Sequence, residues 1–268
     1  PTRRSSDLSV LAGALDDEAN RDKYAAFAEG YKVYFDPSTR FMRGLDSEGN
    51  WRTPFNPRAS NHRNDDYCEG TAWQWTWFVP HDVDGLVELM GGRDAFIGKL
   101  DSLFTADSKL EGESTSVDIS GLIGQYAHGN EPSHHIAHLY NYVGQPWRTQ
   151  EIVDEVLHTL YFNNPDGLSG NEDCGQMSAW YILNAMGFYQ VCPGKPVYSI
   201  GRPLFNEATV HLKDGKSFKV IAHNNSRDNK YVRSIVLNGN KLETPFFTHQ
   251  DIVDGGTLEL TMGSEPLK

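Results

Sequence analysis

Residues 176–200 read QMSAWYILNAMGFYQVCPGKPVYSI. Within them the hydrophobic pattern changes from helix-like to strand-like, and this change decides the fold class. Residues 177–188 are apolar on nearly every side, which predicts a buried helix. Cys192-Pro193-Gly194 interrupts that pattern, and a short β-like run follows from Val197 to Ile200. We therefore expect a mainly α-helical part before this break and a β region after it.

Upstream of the break, apolar residues recur at helical spacing. The segments with this spacing are residues 83–90, 96–104, 136–143 and 153–160, and a polar, acidic helix is expected from residue 12. Gly91-Gly92 is expected to end the first of these segments, and Pro132 to lie in the first turn of the helix over residues 136–143. Residues 9–193 are thus predicted to form one mainly helical domain with long polar loops.

Downstream of the break, the pattern changes to short strands. The runs with strand character are residues 197–200, 208–212, 217–222, 231–237 and 257–262. Asn238-Gly239 follows one of them and is a strong hairpin signal. Residues 194–268 are therefore predicted to form an antiparallel β region, with strands belonging to a sandwich.

The charge balance restricts the classes of partner. The chain has 268 residues, 24 Lys and Arg against 36 Asp and Glu, and a formal net charge of -12. An acidic surface repels phosphate backbones and disfavours nucleic-acid binding. Excess carboxylate suits neutral substrates and hard cations such as Ca²⁺. No apolar run approaches the roughly 20 residues that span a bilayer, and three cysteines without CxxC spacing disfavour a disulfide framework or a zinc finger.

The first eight residues read PTRRSSDL, which is one translation frame of a common sequencing-adapter oligonucleotide. We expect residues 1–8 to be an assembly artefact or a disordered tail, with native sequence beginning near Ser9. On that interpretation the chain is the C-terminal piece of a longer protein.

Residues 67–77, YCEGTAWQWTW, place three tryptophans near one carboxylate, Glu69. Indole faces stack on the apolar faces of sugar rings, and an apolar environment raises the pKa of a carboxyl group, as a general acid requires. The alternative is a buried aromatic cluster in which Glu69 caps a helix.

Residues 129–135, GNEPSHH, offer hard oxygen ligands in Asn130 and Glu131. His134 and His135 are adjacent, so they point in different directions, and the run does not match the HExxH zinc-protease motif. The alternative is that Asn130 and Glu131 are helix caps and that the histidines make structural hydrogen bonds.

Residues 166–180, DGLSGNEDCGQMSAW, lead a Gly-rich polar loop into the apolar helix. Carboxylates at a helix N-terminus are stabilised as anions, so Glu172 and Asp173 suit a general base or a cation ligand. The alternative is an elaborate helix cap. An acid candidate and a base candidate on separate loops suggest glycoside hydrolysis, with carboxylates roughly 6.5–9.5 Å apart for inversion or about 5 Å for retention.

These motifs resemble glycoside hydrolase family 92, the calcium-dependent exo-acting α-mannosidases. The runs that carry the resemblance are YCEGTAWQWTWFVPHD at 67–82, GNEPSHH at 129–135, GQPW at 144–147 and GNEDCGQMSAWY at 170–181. Residues 36–57, with FMRG at 41–44, are similar to the family as well. The resemblance extends from Ser9 to the end of the chain, with the motifs in the family's order.

The resemblance implies an N-terminal β-sandwich and an (α/α)6 barrel with the active site at their junction. This chain would contain the later barrel helices and the C-terminal strands, and the N-terminal β-sandwich would be missing. The full-length protein would be periplasmic or secreted, and its substrate a mannose-containing glycan.

The resemblance also implies roles for individual residues. Glu69 matches the general acid and Asp173 the general base of an inverting mechanism, with Glu172 the substitute if Asp173 proves dispensable. The position two before Asp173, often a second carboxylate in the family, is Asn171 here, which weakens a scheme with a shared base. The presence of Glu69 favours ordinary mannosides over mannose phosphates, because a poor leaving group needs protonation.

The same resemblance implies the ligands. Ca²⁺ is expected to bind the O2 and O3 hydroxyls of the sugar, with Asn130, Glu131 and Asn171 as candidate metal residues. The candidate substrate contacts are Trp73, Gln74, His134 and His135.

Two other classes stay open from the residues alone. A non-catalytic carbohydrate-binding protein would use the tryptophans but has no need for Glu69 and Asp173 on separate loops. Another (α/α)6-barrel enzyme, such as a different glycosidase or a polysaccharide lyase, is the second. A lyase needs basic residues for uronate charge, and the acidic balance disfavours it.

Overall fold

A computed structural model describes residues 2–62 and 64–268, and the chain divides into two compact units, one ending at Ser133 and the other beginning at His134. The predicted boundary near residue 193 differs from this division. In the second unit, the Val232 N–H donates to Gln150 Oε1 at 3.1 Å and the Tyr231 hydroxyl to Glu151 at 2.8 Å. These hydrogen bonds join the helix that contains residues 150 and 151 to the strand that contains residues 231 and 232. The last helices and the β region therefore belong to one unit.

The first unit consists of helices and short strands. Its described helices are α1 Thr2–Ala14, α2 Glu18–Ala28, α3 Ala72–Trp75, α4 Val83–Leu89 and α5 Arg93–Thr105, with 3₁₀ turns at Glu29–Tyr34 and Glu131–Ser133. Its described strands are β1 Phe35–Asp36, β2 Phe41–Met42, β3 Ala59–Asn61, β4 Glu111–Ser114, β5 Leu122–Ile123 and β6 Tyr126–Ala127. They pair as β1 with β2, β3 with β4, and β5 with β6.

The N-terminal segment differs from the disordered tail that was one expectation for residues 1–8. Its described residues belong to α1, which packs on α2. The Ser9 hydroxyl donates to the carbonyl of Arg21 at 2.9 Å, and Ser5 and Ala12 are buried. Asp17 caps α2 by accepting the Asn20 N–H at 3.1 Å. Packing against the capped helix α2 therefore stabilises α1.

Helices α4 and α5 confirm the spacing over residues 83–90 and 96–104. Asp82 caps α4 by accepting the Gly85 N–H at 3.0 Å. Gly91 and Gly92 separate the two helices with φ of 94° and 97°, which L side chains rarely adopt. The apolar faces are buried at Leu86, Met90, Phe96, Leu100 and Leu103.

The second unit begins with short turns where one helix was predicted. Its described helices are α6 Leu139–Tyr142, α7 Pro146–Thr159, α8 Gln176–Met186 and α9 His249–Val253. The predicted helix over residues 136–143 is wrong as a single element: a 3₁₀ turn, Ile136–His138, precedes α6, and Pro132 lies in a separate turn. His138 and Asn141 hydrogen-bond to Ser199 at 3.1 and 2.6 Å, so tertiary contacts override the local spacing.

Helix α8 is less buried than predicted. Met177, Trp180 and Asn184 lie inside, whereas Ile182 is 49% exposed. Gly187, with φ of 101°, ends the helix two residues earlier than expected, and the first strand of this unit follows it directly. The helix is therefore buried on one face only.

The β region forms two sheets. Its strands are β7 Phe188–Tyr189, β8 Val197–Ile200, β9 Glu207–His211, β10 Ser217–His223, β11 Tyr231–Leu237, β12 Asn240–Lys241, β13 Phe246–Thr248 and β14 Gly256–Gly263. The orders are β12-β11-β14-β10-β9 and β13-β8-β7. The five predicted runs are thus confirmed, as is the hairpin at Asn238-Gly239, where both residues have positive φ and Val236 pairs with Lys241.

The prediction of a purely antiparallel region is wrong for one pair. Strand β14 runs parallel to β10, with Phe218 opposite Gly256 and His223 opposite Thr261. A parallel pair needs a crossover connection, and here the chain passes through β11, β12, β13 and α9 before it returns. The hydrophobic core of this unit includes alternating residues of β10 and β14, among them Phe218, Leu258 and Leu260.

None of the helices in the described part of the chain combines the length and the apolar character needed to cross a membrane.

Candidate active site

Glu69 lies in an exposed turn just before α3, with a left-handed backbone, φ 51°. The Asn130 side chain, which is buried, donates from Nδ2 to the Glu69 carbonyl at 3.1 Å and to its carboxylate Oε2 at 3.4 Å. The structure thus brings together the candidate acid and a candidate metal residue that are far apart in sequence.

The turn is fixed by the cap of the next helix. The Thr71 hydroxyl accepts the Trp73 N–H at 3.2 Å, and Gln74 Oε1 accepts the Thr71 N–H at 2.7 Å. Gln74 Nε2 donates to the Gln125 carbonyl at 2.6 Å. The alternative in which Glu69 caps this helix is therefore wrong, because Thr71 and Gln74 form the capping box. Gln74 as a substrate contact stays a prediction.

The three tryptophans of this run differ in exposure and in the groups they contact. Trp75 Nε1 donates to the Cys68 carbonyl at 2.8 Å, and a Cβ on Gly70 would lie 2.8 Å from the same nitrogen. This close approach requires glycine directly after Glu69. Trp77, however, is fully buried with its ring edge-on to Phe96, so its indole face is not exposed to a ligand.

Trp73 is half-buried, and the Lys99 amine lies over its ring. Its ring packs edge-on against Phe41 at 4.9 Å, and Lys99 Nζ lies 3.2 Å from the Phe41 centroid and 4.7 Å from that of Trp73. Burial, with the nearby charge of Arg40, lowers the pKa of Lys99 to about 8. Trp73 as a substrate contact stays a prediction, with its ring orientation set by Phe41 and Lys99.

Asn130 and Glu131 offer oxygen donors of the kind Ca²⁺ binds. The Glu131 carboxylate is exposed, and the Glu131 N–H donates to Asn130 Oδ1 at 3.1 Å, which fixes the amide plane beside it. The described residues contain no cluster of three or more His, Cys, Asp or Glu suited to a metal. Because Ca²⁺ takes six to eight oxygens, these two residues fit as part of a coordination shell and not as a whole one.

In the second unit, the Glu172 carboxylate is hydrogen-bonded to backbone N–H groups at the start of α8. Its carboxylate accepts the backbone N–H of Gly175 and, at 3.2 Å, that of Ser178. Hydrogen bonds from Ser178 lower the pKa of Glu172. The helix-cap alternative for this loop is therefore correct for Glu172.

Asp173 differs from Glu172 in its surroundings. It is exposed, and residues 173, 174 and 175 have φ of 51°, 55° and 100°, a run of left-handed backbone. Its carbonyl accepts the Gln176 N–H at 3.1 Å. Asn171, the other candidate metal residue, is exposed on the same loop. Glu172 is exposed as well, but its carboxylate is hydrogen-bonded to N–H groups at the start of α8, which leaves Asp173 the better candidate base.

His134 and His135 are both buried. Gln176 Nε2 lies 3.1 Å from His134 Nδ1, and Trp180 Nε1 donates to the His134 carbonyl at 2.9 Å. The predicted role of the two histidines in binding substrate stays a prediction.

Two residues that the sequence analysis did not single out contact candidate site residues, one within each unit. Gln176 links His134 to the Asp173 loop, and its place in the GNEDCGQMSAWY run was the available signal. Lys99 belongs to a helix whose spacing gave no indication that its amine would lie on Trp73.

Comparison with known proteins identifies relatives of nearly the whole chain. The catalytic domain of glycosyl hydrolase family 92 matches residues 5–264. The family 92 α-mannosidase BT3965 from Bacteroides thetaiotaomicron, solved in complex with mannoimidazole, is 40% identical with a TM-score of 0.93 over 99% of this chain. The inverting mannosidase BT2199 from the same organism is 39% identical with a TM-score of 0.85, also over 99%.

A curated relative is an uncharacterized secreted glycosidase of Arthroderma benhamiae, 32% identical over 200 residues, or 74% of this chain. The chain spans only part of these proteins. It covers 35% and 37% of the two solved chains and 24% of the fungal glycosidase.

Proposed function

The chain belongs to glycosyl hydrolase family 92, and on that premise we propose that it carries the catalytic carboxylates of an α-mannosidase. The enzyme would remove terminal α-linked mannose from glycans with inversion, a proposal supported by the likeness to the inverting mannosidase BT2199. The observation that carries the proposal is that Glu69 and Asp173 are both exposed carboxylates on left-handed turns directly before a helix.

Glu69 is proposed as the general acid. It transfers its proton to the glycosidic oxygen as the bond from C1 to that oxygen breaks, so that the leaving group departs as an alcohol. An alkoxide leaves poorly without this proton. The Asn130 amide beside Oε2 of Glu69 would orient the carboxyl group.

Asp173 is proposed as the general base. It accepts a proton from the water whose oxygen forms the new bond to C1 on the opposite face of the sugar, which gives mannose of inverted configuration. Glu172 is a poorer base candidate because its carboxylate is held by N–H groups at the start of α8.

The proposed cofactor is Ca²⁺, with Asn130, Glu131 and Asn171 contributing oxygens. When bound, the ion would supply a site for vicinal hydroxyls of the sugar, which suits its tolerance of irregular oxygen geometry. Trp73, Gln74, His134 and His135 are proposed to bind or shape the sugar site, with Gln74 acting mainly through the helix cap.

The remainder of the whole protein is also a proposal. The partial coverage of the solved relatives is consistent with an N-terminal β-sandwich and further (α/α)6-barrel helices outside this chain. The secreted glycosidase among its relatives supports export of the full-length protein.

The test is a panel of aryl glycosides assayed on this chain and on a form extended to the length of its relatives, each with calcium and with excess chelator. Calcium-dependent release from the α-mannoside alone supports the proposal. Retention on mannan without turnover by the extended form would indicate a binding protein, and turnover of another sugar a different glycosidase.

A further inference from the structure

Gln176 occupies a distinctive position at the start of α8. It is the first residue of that helix, and its backbone N–H donates to the Asp173 carbonyl at 3.1 Å. Its side-chain Nε2 lies 3.1 Å from His134 Nδ1 and 3.5 Å from the Tyr189 hydroxyl. One residue therefore contacts both the turn that carries Asp173 and the imidazole of His134.

His134 is held in a defined orientation. Its side chain is only 2% exposed, and its carbonyl accepts the Trp180 indole N–H at 2.9 Å. The imidazole lies near the Trp180 ring, with centroids 6.3 Å apart. A buried ring of this kind cannot turn freely, so its hydrogen-bond partners, the group at Nδ1 among them, determine which nitrogen carries the proton.

The partner at Nδ1 is an amide N–H donor. In a neutral imidazole one nitrogen donates and the other accepts. An N–H donor 3.1 Å away needs the lone pair of Nδ1, so the proton must be on Nε2. An imidazole in this state is a hydrogen-bond donor at Nε2 and an acceptor at Nδ1.

We propose that Gln176 is a positioning residue that fixes His134 as the neutral tautomer with its proton on Nε2 and keeps it in register with the turn that carries Asp173. The relevance to sugar binding rests on the proposed function. The tautomer itself does not, because the hydrogen bond from Gln176 sets it whether or not the chain is an enzyme.

The test is a two-bond ¹H–¹⁵N spectrum of the histidine side chains in the ¹⁵N-labelled chain, with the His134 signals identified by their loss in His134→Gln. We expect an unprotonated Nδ1 and a protonated Nε2. Gln176→Glu replaces the donor by a carboxylate acceptor, and the proton is then expected on Nδ1. Gln176→Leu removes the donor to Nδ1, so the fraction of His134 with its proton on Nε2 is expected to fall.

Gln190→Glu is the matched control, since the Gln190 amide donates to the carbonyls of Pro193 and Lys195 and, among the described residues, no hydrogen bond joins it to His134. It should leave the His134 signals unchanged. A proton on Nδ1 in the unmodified chain would overturn the proposal, and so would an unchanged tautomer in both folded Gln176 variants. If Gln176→Glu does not fold, the Gln176→Leu spectrum decides alone. A confirmed tautomer in an extended chain without mannosidase activity would refute the proposed function and leave this inference standing.

Discussion

At the scale of single residues, both proposed catalytic carboxylates are on left-handed backbone. Glu69 and Asp173 each have φ of 51°, and Cys174 follows with 55°. A non-glycine residue in this region costs on the order of 1 kcal/mol and persists only where neighbouring contacts impose it. Thr71 and Gln74 fix the first turn, and Glu172 fixes the second. Strain at these positions is consistent with a functional role for both turns.

Glu69→Gln is expected to abolish turnover of alkyl α-mannosides while largely sparing mannosides with activated leaving groups, because only the former need a proton from the enzyme. The measurement is kcat/KM on both substrate types with the extended protein. Equal loss on both would refute the acid role.

Asp173→Asn is expected to remove activity on both substrate types, because water activation is needed in either case. Glu172→Gln serves as the matched comparison. It removes an anion from the start of α8, so it should lower the midpoint of thermal unfolding while retaining activity in the folded protein. If Asp173→Asn stays active and Glu172→Gln does not, the base is Glu172.

His138 gives a prediction about stability and pH. Burial lowers its pKa to about 4, and its ring bonds to Asn184 at 2.8 Å and Ser199 at 3.1 Å. The pKa of a histidine in the unfolded chain is about 6.5. Between that pH and about pH 4, the unfolded state binds one more proton at His138 than the folded state does. Stability from the neutral ring is therefore complete above pH 6.5 and falls as the pH drops, by on the order of 3 kcal/mol.

The check is urea unfolding of the natural chain and of His138→Gln from pH 7 to pH 4. The stability difference between the two should decrease as the pH falls. A difference that is constant over this range would contradict the burial of a neutral imidazole.

At the scale of elements, the hydrophobic pattern was sufficient to predict α4, α5 and the five strand runs of the β region. It was insufficient where non-local hydrogen bonds decide the backbone. Residues 136–143 have helical spacing, yet His138 and Asn141 bond to β8 and split the segment. The parallel pairing of β14 with β10 likewise depends on where the chain returns, which local alternation does not encode.

The candidate site shows the same limit. The motifs located Glu69, Asn130 and Asp173, but the contact of Asn130 with Glu69 and the capping role of Glu172 required the fold. Lys99 could not be predicted at all, because its place on Trp73 depends on packing between α5 and α3.

Leu260→Ala tests the core of the second unit. Leu260 is fully buried on the central strand β14, between β10 and β11. Truncation should lower the free energy of unfolding by about 2–5 kcal/mol. Thr261→Ala on the opposite face of the same strand is the matched control and should cost far less. Similar losses for both would contradict the observed register.

At the scale of the whole molecule, the chain spans about a third of the solved relatives it matches. Both proposed carboxylates nevertheless lie within it, together with all three candidate metal residues. On the proposed roles, activity of the longer protein would depend on these residues, with other parts of that protein completing the site.

The most direct measurement follows, by ¹H NMR, the mannose released from an α-mannoside by the extended protein in the presence of calcium. The expected first product is the β-anomer, formed by the natural protein and not by Asp173→Asn. The α-anomer as first product, or no mannose at all from a folded extended protein, would contradict an inverting α-mannosidase that uses Glu69 and Asp173.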